Sequence, residues 1–190
     1  MKSPLNLLAF DLGASNGRAI LGRFDGERIT MQELHRYEND YIPLNGVLYW
    51  DSMNIFHQMK LGLHAFKRGG FGDLDCFGVD TWGVDFGLLD RNGQLLGNPR
   101  SYRYAVDADM QPVFDRIPFE ELFRRTGVAP YSYNTLFQLY KRKLEGDTAL
   151  ENADTLPMTP DLLGYFFTGE KRTEYTIAST SMLLDPAVKN

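Results

Sequence analysis

The main indication of the fold is the segment Asp11-Leu12-Gly13-Ala14-Ser15-Asn16-Gly17-Arg18 and the apolar runs on either side of it. A compact apolar run, Leu5–Phe10, leads into it, and Arg18–Phe24 resumes the apolar pattern after it. Both runs have the length and composition of short strands, so the stretch is predicted to be a turn between two strands. A third strand is predicted over Arg28–Tyr37, after the hairpin signal Asp25-Gly26. The chain is therefore expected to open as a three-strand antiparallel meander.

The turn between the first two strands carries groups suited to holding phosphate. Glycines and small side chains let backbone N–H groups approach an anion closely, and successive amides can form a nest for its oxygens. Asp11 is placed to hold Mg²⁺ through water, and Arg18 can neutralise a phosphoryl group. The predicted nucleotide-binding residues are Asp11, Gly13, Ala14, Ser15, Asn16, Gly17 and Arg18. A plain glycine-rich β-turn explains this short pattern equally well, and the pattern lacks the Gly-Lys-Ser/Thr ending of a Walker A loop.

Helical and extended segments alternate after the meander. A helix capped by Asp51 or Ser52 is predicted to end at Gly69-Gly70, and two strands follow it, Leu74–Asp80 and Val84–Leu89. Three further helices are predicted near residues 118–126, 134–144 and 160–167, the last capped by the Thr159 hydroxyl. This order predicts an α/β fold, half of the actin-like (ribonuclease H-like) ATPase architecture, with the antiparallel meander in a mixed sheet flanked by helices. A Rossmann domain would need a helix directly after its first strand.

A second motif, Gly78-Val79-Asp80-Thr81-Trp82-Gly83-Val84-Asp85-Phe86, joins the predicted strands. It places two acids, a hydroxyl and a tryptophan within six positions. Such a group can offer hydrogen bonds and a stacking face to a polyol, while Gly83 permits close approach. A strand-end turn with solvent-facing acids is the commoner explanation of such a pattern by itself.

Composition restricts the class of protein. The 190 residues carry a formal charge of −5, which argues against nucleic acid or an anionic membrane as the main partner. No apolar run approaches the length of about 20 residues that spans a bilayer. Cys76 is the one cysteine, so no intrachain disulfide can form, and a cytoplasmic location is expected. Its apolar neighbours predict a buried side chain.

The two motifs together resemble those of the FGGY carbohydrate kinases, and among these the rhamnulokinases most. The first motif looks like that family's D-L-G-A-S-S/N-G-R, and Asp80–Phe86 is similar to its D-T-W-G-V-D-F element. Further similarities, including Asn134–Leu139 and Glu174-Tyr175-Thr176, extend over almost the whole chain. The resemblance implies that residues 1–190 form most of an N-terminal sugar-kinase domain, with a C-terminal domain of the same kinase as its partner.

The implied activity is ATP- and Mg²⁺-dependent phosphorylation of L-rhamnulose to L-rhamnulose 1-phosphate. The implied sugar-binding residues are Asp80, Thr81, Trp82, Gly83, Asp85, Tyr102 and Arg103, and Asp11 is the implied metal ligand. Family members take the sugar proton with an aspartate in a later H-D-T-type motif, and this sequence contains no His-Asp pair. The proton acceptor is therefore expected beyond Asn190, and the isolated chain is expected to be inactive.

Three alternatives stay open at this point. Asp80 or Asp85 could act as the base in place of the missing aspartate. Tyr104 stands where the family's Y-R-D element has an acid, so another ketose, such as fuculose or xylulose, is a second candidate substrate. A sugar- or nucleotide-binding module without catalysis is the third.

Overall fold

Two groups of packed elements make up the chain. The computed structural model describes residues 4–105 and 109–188. The first unit comprises residues 4–40 with Asp51–Trp82, and the second unit comprises Tyr41–Trp50 with residues 83–188. Numbered in chain order, the strands are β1 (Leu5–Leu12), β2 (Asn16–Phe24), β3 (Ile29–Glu38), β4 (Tyr41–Leu44), β5 (Val47–Trp50) and β6 (Cys76–Thr81). The α-helices are α1 (Ser52–Arg68), α2 (Gln111–Phe114), α3 (Phe119–Thr126), α4 (Thr135–Leu144), α5 (Thr148–Glu151), α6 (Thr159–Thr168) and α7 (Tyr175–Ala178), and 3₁₀ turns cover Tyr102–Ala105 and Ser179–Ser181.

A four-stranded mixed sheet in the order β3-β2-β1-β6 forms the first unit. The strands β1, β2 and β3 pair antiparallel, as the sequence predicted, and β6 pairs parallel with β1. Alternate residues of β1 are buried, including Leu8, Phe10 and Leu12. This alternation identifies the face of the sheet that packs into the core.

Helix α1 covers that buried face. Of the two predicted caps, Asp51 is the one observed: its carboxylate accepts a hydrogen bond of 3.0 Å from the Asn54 N–H, and Ser52 is already helical. A Cβ atom at Gly62 would lie 2.6 Å from the Cβ of Ala19, which is closer than real contacts allow. Glycine at position 62 therefore lets the helix approach β2 closely.

The opposite face of the sheet is apolar and exposed. The residues that line a groove of about 260 Å³ there include Leu7, Ala9, Ile20, Gly22, Ile29, Met31, Cys76 and Gly78. Cys76 is exposed, so the prediction of a buried thiol is wrong. The reason is strand alternation: Phe77 packs its ring edge-on against Phe10 on the α1 side, which turns Cys76 to the other face.

In the second unit, β4 and β5 form a hairpin that the sequence analysis missed. Its turn is Asn45-Gly46, and both residues have positive φ, 50° and 78°. Asn-Gly between apolar runs is a strong hairpin signal, so this element could have been found from the sequence.

The predicted strand over Val84–Leu89 is only partly formed. Phe86 and Leu89 make isolated bridges, the first to Met158 and the second to Leu95 and Thr155. The prediction of a continuous strand is therefore wrong, because the backbone of this segment pairs with separate short stretches of chain.

The three predicted later helices are present as α3, α4 and α6. Two of them end at a glycine with positive φ, Gly127 after α3 and Gly169 after α6. The predicted cap of α6 is wrong, because Thr159 is already helical and its hydroxyl donates to the Asp85 carbonyl at 3.0 Å. Across residues 4–105 and 109–188, no helix has the length and apolar character needed to cross a membrane.

Candidate functional site

The Asp11–Arg18 hairpin joins β1 to β2 at the end of the sheet. Asp11 and Arg18 are register partners and form an ion pair. The Gly13 N–H donates to the Asn16 carbonyl at 2.8 Å, which closes the turn. The ion pair holds the Arg18 guanidinium against the Asp11 carboxylate, where the two strands lead into the turn.

Asn39, which follows β3, fixes the tip of this hairpin, and the sequence analysis missed it. Its side-chain Nδ2 donates to the Gly13 carbonyl at 2.9 Å, and its backbone N–H donates to the Ser15 carbonyl at 3.0 Å. The residue is buried, with 7% of its surface exposed. An asparagine just beyond a strand carries no sequence signal for such a contact, because its partners lie more than 20 positions earlier.

Gly17 is required by packing within the hairpin. A Cβ atom there would lie 2.3 Å from a ring carbon of Tyr37 on β3. The ring therefore rests directly on the Gly17 backbone. This contact gives the glycine a structural purpose beside the close approach to phosphate that the sequence analysis proposed.

The second motif is divided between the two units. Asp80 and Thr81 end β6, and Trp82 follows them in the first unit, whereas Gly83 and Asp85 belong to the second unit. Asp80 is the register partner of Asp11 on the neighbouring parallel strand. Register partners project from the same face of a sheet, so Asp80 lies beside Asp11.

Asp85 is fully buried in the second unit and is bound to protein groups. Its Oδ2 accepts a hydrogen bond of 2.6 Å from the Trp50 indole, and its Oδ1 accepts one of 3.2 Å from Gln138 Nε2. Its backbone carbonyl accepts from both the N–H and the hydroxyl of Thr159, each at 3.0 Å. These contacts make Asp85 a residue that organises the motif, and its role as a sugar ligand remains a prediction.

Val84, between Gly83 and Asp85, has a left-handed backbone with φ 66°. A β-branched residue rarely adopts this conformation. The Val84 N–H donates to Thr180 Oγ1 at 3.2 Å. The Val84 carbonyl accepts from Thr135 Oγ1 at 2.7 Å and from Gln138 Nε2 at 3.1 Å. Hydrogen bonds on both sides of the residue hold the strained backbone in place.

Arg103 lies among aromatic rings in the second unit. Its guanidinium carbon is 5.4 Å from the ring centre of Tyr41 and 5.7 Å from that of Tyr102. Tyr102 in turn meets Tyr133 edge-on, and Tyr41 meets Trp50 in the same way. Arg103 is exposed, so its donors are accessible beside flat apolar faces, which is an arrangement suited to a polyol.

Tyr104, which replaces the expected acid, belongs to a charged cluster. Its hydroxyl donates to Glu145 at 2.6 Å, and Glu145 also pairs with Arg100 at 2.8 Å and Lys141 at 3.3 Å. Burial alone would raise the pKa of the Glu145 carboxyl, but the hydrogen bonds from Tyr104, Arg100 and Lys141 outweigh burial and lower it. The tyrosine thus ties the 3₁₀ turn Tyr102–Ala105 to the end of α4.

Magnesium binding can be tested against the oxygen donors of the first unit. The part of the chain that the structure describes contains no group of three or more His, Cys, Asp or Glu side chains arranged around a metal position. Mg²⁺ in phosphoryl-transfer sites is commonly held by one or two carboxylates together with substrate phosphates. Asp11, with Asp80 in register beside it, fits that requirement.

Comparison with known proteins identifies the family. A family model described as "FGGY family of carbohydrate kinases, N-terminal domain" matches residues 6–189. The chain belongs to the FGGY family of carbohydrate kinases. Among curated relatives of this FGGY chain are a rhamnulokinase of Bacteroides thetaiotaomicron, 40% identical over 182 residues, and one of Enterococcus faecalis, 40% identical over 185 residues. These matches cover 95% and 96% of the chain but only 37% and 36% of the relatives, so the chain spans little more than a third of their length.

Solved structures support the fold. Ligand-bound xylulose kinase from Lactobacillus acidophilus superimposes with a TM-score of 0.84 at 15% identity, covering 97% of this chain and 38% of that one. Plasmodium falciparum glycerol kinase with ADP gives 0.71 at 16% identity, covering 99% of this chain and 39% of that one. The FGGY chain therefore has the sugar-kinase fold, and the actin-like fold prediction is confirmed.

Proposed function

We propose that the chain is the N-terminal part of an ATP-dependent sugar kinase that converts L-rhamnulose to L-rhamnulose 1-phosphate. The observation that supports this most directly is the 40% identity to a rhamnulokinase over 95% of the chain. Residues 1–190 would then form most of the N-terminal domain, and a C-terminal domain of the same kinase would be its partner. The cytoplasmic location predicted from the sequence remains a prediction.

The Asp11–Arg18 hairpin would hold the phosphates of ATP. Backbone amides of the turn would donate to phosphate oxygens, and Arg18, already held beside the hairpin by Asp11, would offset their negative charge. Asp11 would hold Mg²⁺ through water, with the Asp80 carboxylate beside it. When bound, the metal would neutralise charge on the phosphoryl group that is transferred.

The sugar contacts are proposed for the remaining predicted residues. Arg103 would donate hydrogen bonds to sugar hydroxyls, and Tyr102 would pack against the apolar faces of the ring or chain. Asp80, Thr81, Trp82, Gly83 and Asp85 complete the proposed set. Because the two carboxylate oxygens of Asp85 accept hydrogen bonds from Trp50 and Gln138, we assign Asp85 to positioning the Trp50 indole and not to proton transfer.

A ketose panel tests the proposal. The longer kinase that contains this chain is assayed for ADP release with L-rhamnulose, L-fuculose and D-xylulose, with and without Mg²⁺. We expect the highest kcat/KM with L-rhamnulose and a loss of about 10²-fold or more in kcat for Asp11→Asn. Preference for another ketose would reassign the substrate within the family, and ligand binding without turnover would indicate a binding module. The isolated chain is expected to show no turnover.

A further inference from the structure

We propose that Asn39 is a positioning residue that presets two backbone amides of the Asp11–Arg18 hairpin for phosphate. The inference rests on the proposed nucleotide-binding function of that hairpin. It starts from the two hydrogen bonds that Asn39 donates, from Nδ2 to the Gly13 carbonyl and from its backbone N–H to the Ser15 carbonyl, at 2.9 and 3.0 Å.

Peptide geometry fixes the direction of two hairpin N–H groups once these two carbonyls are bound. In a trans peptide, the carbonyl of one residue and the N–H of the next lie in one plane and point in opposite directions. Since the Gly13 carbonyl points at Asn39, the Ala14 N–H points away from it. The same reasoning applies to the Ser15 carbonyl and the Asn16 N–H. Both amides therefore point away from Asn39.

Without these contacts the peptide planes of the turn could adopt other orientations. A four-residue turn can rotate a peptide plane at modest cost, and a rotated Gly13–Ala14 peptide would present a carbonyl oxygen where an amide donor stood. A carbonyl facing a phosphate repels it, whereas an amide attracts it. Asn39 removes this freedom before the ligand arrives, so less entropy is lost on binding.

Asn39 is well placed to impose the constraint. It is 7% exposed and continues directly from β3, so the sheet fixes its backbone. On the other side of the tip, Arg36 Nη1 donates to Asn16 Oδ1 at 3.2 Å. The side chain of Asn16 is thereby held by β3 as well. Two side-chain contacts, one part-buried and one exposed, therefore hold the tip.

Substitution of the amide separates this role from general stability. Asn39→Ala removes the Nδ2 donor without adding charge and leaves the backbone N–H to Ser15 in place. Asn152→Ala is the matched control, because Asn152 Nδ2 also donates to a backbone carbonyl, that of Thr148, at 2.8 Å in the second unit. Both variants lose one amide-to-carbonyl hydrogen bond.

The experiment is an amide-resolved NMR titration of the ¹⁵N-labelled 190-residue chain with MgATP. In the unsubstituted chain, we expect the Ala14 and Asn16 amide resonances to shift on binding. Asn39→Ala should raise the Kd about 3- to 10-fold, the equivalent of one net hydrogen bond, and weaken those two shifts at saturation. Asn152→Ala should leave the Kd within about twofold of the original value.

Each outcome decides the inference. A folded Asn39→Ala chain that binds MgATP with an unchanged Kd would refute it while leaving the nucleotide site intact. If Asn39→Ala does not fold, Asn39→Leu decides, because leucine fills a similar volume without charge and cannot donate to the Gly13 carbonyl: an unchanged Kd refutes the inference, and a raised Kd with weakened Ala14 and Asn16 shifts supports it. Absence of any MgATP binding by the unsubstituted chain would instead refute the proposed phosphate role of the hairpin, and this inference with it.

Discussion

The Trp50 indole donates a hydrogen bond of 2.6 Å to the carboxylate of Asp85, 35 positions further along the chain, and both side chains are buried. Trp50 ends β5, and Asp85 belongs to the motif that resembles a sugar-kinase substrate element. Gln138 on α4 donates to the other oxygen of the same carboxylate at 3.2 Å. The acid therefore joins three separate segments of the second unit.

This hydrogen bond is expected to contribute measurably to stability. Trp50→Phe should lower the free energy of unfolding by about 1–3 kcal/mol, because the buried Asp85 carboxylate loses the hydrogen bond from the indole. Combined with Asp85→Ala, which removes the acceptor, in a double-mutant cycle followed by urea denaturation, the pair should show a coupling energy of about 1 kcal/mol or more. Strictly additive losses would show that the two side chains do not stabilise each other.

Gly17 should not tolerate a larger residue. Gly17→Ala places a methyl group where the Tyr37 ring lies, so we expect a loss of about 1–3 kcal/mol in thermal or urea unfolding. Gly78→Ala is the control, because a Cβ there meets no atom within 4 Å. Equal effects of the two substitutions would mean that the Tyr37 ring moves aside freely.

Removing the Tyr37 hydroxyl is not expected to lower the free energy of unfolding. Within the described part of the chain this buried oxygen has no hydrogen-bond partner, so Tyr37→Phe should leave stability at pH 7 unchanged or raise it by about 1 kcal/mol. Tyr104→Phe is the contrasting control, because it loses the 2.6 Å hydrogen bond to Glu145 and should destabilise.

Alkaline pH gives a second test of the same tyrosine. Burial raises the pKa of Tyr37 to about 12, above the ordinary value of 10.0. A group with a raised folded-state pKa contributes stability that is complete below the unfolded pKa and is lost as pH rises through the folded value. Unfolding free energy should therefore fall between about pH 10 and 12. Tyr37→Phe should make that fall shallower, and an identical profile would contradict a buried phenol.

Val84 stores backbone strain that glycine would release. Val84→Gly should change the free energy of unfolding by less than about 0.5 kcal/mol or increase it, because relief of the left-handed strain offsets the greater freedom of glycine in the unfolded chain. Val79→Gly, in the extended strand β6, should cost about 1–2 kcal/mol. A larger loss at position 84 than at position 79 would show that side-chain packing outweighs strain there.

Local patterns in the sequence were enough for part of the structure. The antiparallel meander, helix α1 with its Asp51 cap, and the glycine ends of α3 and α6 follow from apolar periodicity and from turn and cap residues a few positions apart. The two motifs also placed the chain among the FGGY kinases, and the matching family model agrees. The Asn45-Gly46 hairpin carries an equally local signal, because Asn-Gly between apolar runs favours a two-residue turn.

The grouping of the candidate site residues depends on contacts between distant parts of the chain. The sequence treated Asp80 through Phe86 as one substrate element, whereas parallel pairing of β6 with β1 sets Asp80 beside Asp11, and a left-handed turn at Val84 buries Asp85 against Trp50. Asn39 likewise meets the hairpin only because β3 pairs with β2. The sequence alone therefore predicted the Asp11–Arg18 turn. The contacts proposed to orient its amides join residues far apart in the chain, and no local periodicity specifies which distant segments will pair.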